Sequence, residues 1–193
     1  MLADFNHDGK LDFATSGNLL ALGNGDGTFQ APEPIVATPP PGGFSNIATG
    51  DINNDGWPDL IITCAAPTNL YVLLNNRQGG FTQVPTSFGS YTSQAVLADL
   101  NGDGNSDLVL IGMDGGGAAV YLGNGQGGFT LQVDLPDPVG LPGPAMVADV
   151  NGDGIPDIMQ LDGDTLGSIS AREAQHMRHL LHRHRPDPRR YPY

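Results

Sequence analysis

Four nine-residue segments of this chain share one pattern, D-x-N-x-D-G-x-x-D: Asp4 to Asp12, Asp51 to Asp59, Asp99 to Asp107 and Asp149 to Asp157. They start at positions 4, 51, 99 and 149, a period of about 48 residues, and a fixed period of that length is the mark of a repeat architecture. A second motif lies between them, as Leu22-Gly-Asn-Gly-Asp-Gly-Thr-Phe29, Leu74-Asn-Asn-Arg-Gln-Gly-Gly-Phe81 and Leu122-Gly-Asn-Gly-Gln-Gly-Gly-Phe129. Whatever one unit folds into, the chain must build several times over.

The segments between the motifs read as short strands. Ala95 to Ala98 enters an acidic loop and Asp107 to Ile111 leaves it; Ala118 to Leu122 enters an Asn-Gly turn and Phe129 to Val133 leaves it. Each run is short, apolar, and bounded by Gly, Asn, Asp or Pro. Asn-Gly turns suit hairpins because both residues tolerate positive φ. The sequence has 28 Gly and 16 Pro in 193 residues, about twice the usual share, as a chain of many tight turns requires. The expected fold is all-β, in blades of four antiparallel strands, the size of one propeller blade. The units fall near residues 1–43, 44–90, 91–140 and 141–167, about three and a half blades. Propellers close with about four to eight, so the chain is expected to be a piece of a larger one.

The acidic loop carries the chemistry. Side-chain oxygens at positions 1, 3, 5 and 9, with Gly at position 6 for the reversal and a backbone carbonyl at position 7, make an oxygen cage suited to Ca²⁺. Three carboxylates and an amide, without His or Cys, select a hard cation over zinc or copper. Asx-rich turns can also form without metal, but three Asp so close together repel one another unless a cation joins them. An EF-hand needs a Glu at position 12 and flanking helices. Position 12 is Thr15, Ile62, Leu110 and Gln160, and Pro58 and Pro156 lead into strands.

These paired motifs resemble the FG-GAP/VCBS-type repeats of integrin α-subunit β-propellers and of many bacterial surface proteins, over about residues 2–167. In that family the calcium loop joins the first two strands of a blade. The resemblance implies side-chain ligands Asp4, Asn6, Asp8 and Asp12; Asp51, Asn53, Asp55 and Asp59; Asp99, Asn101, Asp103 and Asp107; and Asp149, Asn151, Asp153 and Asp157. It implies carbonyl ligands from Lys10, Trp57, Asn105 and Ile155. Up to four Ca²⁺ would bind, one per loop. The implied role is adhesion or ligand binding by a secreted or cell-surface protein, with an extracellular protein or a polysaccharide as partner. Some polysaccharide lyases also resemble this propeller, which makes a carbohydrate-active protein the alternative.

Charge supports this division. Residues 1–167 hold 19 acids and two bases, Lys10 and Arg77, whereas residues 168–193 hold six Arg, two acids and four His. An acidic body repels nucleic acid, whose binding depends on Lys and Arg neutralising phosphate. No run of eighteen apolar residues could span a membrane, and Met1 to Asp4 lacks the basic and apolar regions of a signal peptide. One Cys, Cys64, excludes an intrachain disulfide. No G-x-S-x-G, H-E-x-x-H or P-loop occurs, and acid clusters that recur in every unit argue for structural sites rather than a catalytic pair; no enzyme is expected. Trp57, Tyr71, Tyr91 and Tyr121 could line a sugar-binding surface, but packing within blades is the expectation. The basic tail leaves the repeat register at Ser168. It reads as a disordered end or as a shifted frame, since reading Ala171 to Tyr193 one nucleotide later permits a strand and a Gly-Thr-Phe turn.

Overall fold

The computed structural model describes residues 1–39, 43–64, 70–86, 88, 94–111, 118–135, 145–150, 152, 154, 156–162 and 165–169. All regular elements there are strands. β1 (Leu2–Ala3), β2 (Asp12–Thr15), β3 (Leu19–Ala21) and β4 (Glu33–Pro34) form the first sheet. The second is β5 (Phe44–Gly50), β6 (Asp59–Cys64), β7 (Leu70–Asn75) and β8 (Phe81–Val84), and the third is β9 (Gln94–Ala98), β10 (Asp107–Ile111), β11 (Ala118–Gly123) and β12 (Phe129–Leu135). The fourth has three strands, β13 (Ala145–Ala148), β14 (Asp157–Asp162) and β15 (Thr165–Ile169). β15 thus runs past Gly167. The expectations for the rest of the tail, and for Tyr91, lie outside the described residues.

Every sheet is an antiparallel meander in chain order. The acidic loop joins its first two strands, and in the first three sheets the Asn-Gly motif joins the last two. The register repeats as well: Asp59 pairs with Gly50, Asp107 with Ala98 and Asp157 with Ala148. The fold is all-β, in propeller-type blades.

The sheets stack face to face because alternate side chains of a strand leave opposite faces. Leu60 and Ile62 pack toward the first sheet against Phe5, Ala14 and Leu20. Ile61 and Val72 pack toward the third against Leu108, Leu110 and Tyr121. Val109, Ile111 and Val120 then meet Ile158 of the fourth. A strand apolar on both faces is what a middle blade needs, and all of β6 and β10 is buried. Among the described residues, the first sheet has a neighbour on one face. Phe13, in register with the fully buried Leu60 and Leu108, is 42% exposed, and Leu2 and Leu11 are exposed beside it. A hollow of about 630 Å³ opens there, lined in part by Leu2, Leu11 and Phe29.

Candidate functional site

Each acidic loop is folded by hydrogen bonds between its own side chains and backbone. In the first three loops the position-5 amide (Asp8, Asp55, Asp103) donates to the carboxylate Oδ1 of position 1, Asp4, Asp51 or Asp99, at 3.0–3.2 Å. The same amide donates to the Asn oxygen of position 3, Asn6, Asn53 or Asn101. The position-6 glycine amide donates to the other oxygen of position 1 at 2.8 Å in all three, and Gly154 does so to Asp149 at 2.9 Å in the fourth. The amides of Lys10, Trp57 and Asn105 close the turn on the position-5 carboxylate. Gly9, Gly56, Gly104 and Gly154 have φ of 84° or 85°, a conformation L side chains rarely adopt, which is why the pattern demands glycine there. Asn151, Asp153 and Ile155 lie outside the described residues.

The last acid behaves differently. Asp12, Asp59 and Asp107 are fully buried and Asp157 nearly so. One oxygen of each accepts the amide of loop position 2, Phe5, Ile52, Leu100 or Val150. In the first three units the other oxygen accepts an amide of the second motif, from Gly23, Asn75 or Gly123, at 2.7–2.8 Å. A single carboxylate therefore straps the acidic loop to the hairpin across the blade. Sequence reasoning gave these residues only a ligand role. Burial pushes the Asp59 carboxyl up to about 6, against the pull of the Asn75 and Ile52 amides, with repulsion from Asp55 and Asp51 adding to the rise. Burial also raises Asp107, with repulsion from Asp103 and Asp99 contributing.

Positive charge at position 5 differs between units. In the first, Lys10 Nζ lies 3.4 Å from Asp8 Oδ2. In the second, Arg77 from the hairpin turn places Nη2 at 2.8 Å and Nε at 3.3 Å from Asp55 Oδ2. Burial works to raise the Asp55 carboxyl, but the hydrogen bonds from Arg77, Trp57 and Asn53 and the guanidinium charge hold it below its ordinary value. In the third loop, Asp103 Oδ2 accepts from the neutral Asn101 amide, and the hydrogen bonds from Asn105 and Asn101 lower its carboxyl. Arg77 escaped the sequence reading. The available signal was that it is one of two bases in residues 1–167 and sits where the other motifs have Gly25 and Gly125.

The loops are also tied to one another. His7 and Trp57 stack with ring centroids 3.9 Å apart. Asn54 Nδ2 donates to Asn105 Oδ1 at 2.6 Å, and Ser106 Oγ to Asp51 O at 2.9 Å. Tyr71 packs edge-on against Phe44 and Tyr121 against Phe88, so these two serve packing.

Among the described residues, no three His, Cys, Asp or Glu side chains gather closely enough to hold a metal ion between them. The donor set nevertheless fits a hard cation in kind. It is all oxygen, its acids repel one another in the second and third loops, and in two loops a cationic side chain lies on the position-5 carboxylate. Each oxygen of a strapping Asp that accepts one amide keeps a second lone pair.

Residues 4–62 and 99–159 match the family model of the FG-GAP-like repeat. No curated protein matches the chain. Among solved structures, it is similar to an Agrocybe aegerita lectin described for specific recognition of non-reducing terminal N-acetylglucosamine, with 26% identity and a TM-score of 0.60 over 88% of this chain and 51% of the lectin chain. It is also similar to the V. cholerae biofilm matrix protein Bap1, with 16% identity and a TM-score of 0.47 over 88% of this chain and 26% of that one. The chain thus spans about half the length of the lectin and a quarter of Bap1. Among the described residues no helix is long and apolar enough to cross a membrane.

Proposed function

Because the chain belongs to the family of FG-GAP-like repeats, we propose that it is a calcium-binding propeller module that binds an extracellular ligand through the loops of its blades. The observation that carries this reading is the acidic loop itself, built three times with the same hydrogen bonds around the same acids. Calcium would be held by Asp4, Asn6, Asp8 and Asp12, by Asp51, Asn53, Asp55 and Asp59, by Asp99, Asn101, Asp103 and Asp107, and by Asp149, Asn151, Asp153 and Asp157. The carbonyls of Lys10, Trp57, Asn105 and Ile155 would complete each set. The ion supplies charge neutralisation, which makes it favourable to keep three carboxylates in one short loop. The chain's own residues do the rest: position 1 orders the turn, and position 9 fastens it to the hairpin. Extracellular calcium modules work at Kd of about 10⁻⁴–10⁻³ M, which suits a secreted or surface protein. The role is binding rather than catalysis, since the acids recur in every unit.

The lectin neighbour favours a carbohydrate as the ligand class, and supports it over a protein partner. Two measurements test the reading. Equilibrium dialysis should find up to four Ca²⁺ per chain, released by chelator; no uptake at millimolar calcium refutes the calcium role. A glycan array in calcium buffer should show selective retention of sugar termini. Uniform absence of binding refutes the carbohydrate class.

A further inference from the structure

The hairpin turn of the second unit contains a residue that its backbone disfavours. The equivalent turn position is Gly25 in the first unit, with φ of 80°, and Gly125 in the third, with φ of 64°; Arg77 holds 59°. Non-glycine residues at such φ are uncommon and strained, so the side chain must return something. Arg77 places two guanidinium nitrogens on Asp55 Oδ2, which also accepts from Asn53 Nδ2 at 3.0 Å. That oxygen, one of the four side-chain donors of the second loop, is fully engaged.

The first and third units fill the same place differently. A Cβ on Gly25 would touch the stem of Lys10 at 3.1 Å, so the lysine lies across this turn, its ammonium half exposed and 3.4 Å from Asp8. A Cβ on Gly125 would collide with Asn105 Oδ1 and Asn54 Nδ2. Neutral amides occupy the space, and among the described residues no Lys or Arg forms an ion pair with Asp103. Internal neutralisation of the position-5 carboxylate is therefore strongest in the second loop, weaker in the first and lacking in the third.

Building on the calcium reading, we propose that Arg77 is an internal counter-cation that competes with an external divalent cation for Asp55, so that the third loop takes calcium more readily than the second. The guanidinium makes charge-assisted hydrogen bonds to Asp55 Oδ2, which are stronger than neutral ones, and calcium must displace it to use that oxygen. Among the described residues the third loop has no such competitor, and its Asp103 oxygens turn to neutral donors.

The amides of Gly56 and Gly104 each donate to the position-1 carboxylate of their own loop and report on it separately. Calcium titration of the full chain, followed by ¹⁵N NMR, should shift Gly104 at lower calcium than Gly56. Arg77→Gly restores the residue of the sister turns, and Arg77→Gln keeps a side chain without charge. Both should lower the Gly56 midpoint by up to about fivefold, the upper size of one competing exposed ion pair, and leave Gly104 unmoved. Arg77→Lys keeps the charge and should stay close to the parent chain. A Gly56 midpoint at or below that of Gly104 in the parent, or one unmoved by either uncharged variant, overturns the proposal and leaves calcium binding intact. If neither amide responds to millimolar calcium in any variant, the calcium reading falls and the proposal with it.

Discussion

The second and third units are near copies in architecture and differ in how they manage charge. Each has four strands in the same order, a central strand buried on both faces, and a buried Asp that accepts one amide from the loop and one from the hairpin. In the second, a guanidinium covers the position-5 acid of the loop; in the third, amides do. What the units share is buried and sets the fold. What separates them is the charge set beside the position-5 acid.

The shared part should be hardest to disturb evenly. Leu60→Ala and Leu108→Ala each remove a fully buried side chain between two sheets and should cost about 3 kcal/mol each in urea unfolding. Phe13→Ala, at the same register but exposed, should cost less than about 1 kcal/mol. Equal losses at all three positions would break the account of the one-sided first sheet.

Next come the straps. Asp59→Asn and Asp107→Asn put an amide nitrogen where one oxygen accepts a buried backbone amide, leaving a buried donor unsatisfied at a cost of roughly 2 kcal/mol each. The two should lose similar stability, because this is what the units have in common. A loss at only one would show that the units do not share the device.

A smaller effect is expected from pH. The Asp59 carboxyl stands at about 6 in the folded chain against an ordinary 3.8, so between these values the folded state holds more protons than the unfolded one. Its contribution to stability is then fully present below 3.8 and declines as pH rises through 6. In chelator, the difference in stability between the parent and Asp59→Asn should therefore shift against the parent over that window. Asp107 moves in the same direction, so Asp107→Asn should show the same sign. A flat difference would remove burial and like-charge repulsion as features of these sites.

Much of this was readable from the sequence because it is written in glycines and acids at fixed spacing. Gly56 and Gly104 mark backbone that only glycine adopts easily, so the pattern gave away the loops, and the family resemblance placed them between the first two strands of a blade. Short runs bounded by Gly, Asn, Asp or Pro, such as Asp107 to Ile111, gave the strands; that the middle sheets are covered on both faces came only with the structure. What stayed hidden depends on contacts between distant segments. Asp59 looks like any other acid of its loop until Asn75, sixteen residues on, is seen to donate to it. Asn75 in turn reaches the first unit through Phe5 O at 2.8 Å. Arg77 belongs to a turn whose motif says nothing about Asp55, and the stacking of His7 on Trp57 joins two units that no local pattern connects.

The central claim is that the acidic loops hold calcium and that this holds the blades. Thermal unfolding of the full chain in chelator, and again with calcium restored to about ten times a 10⁻³ M Kd, tests it most directly. Each occupied loop should then add about 1.4 kcal/mol, so Tm should rise by several degrees with calcium and fall back with chelator. The same Tm in both conditions would contradict it.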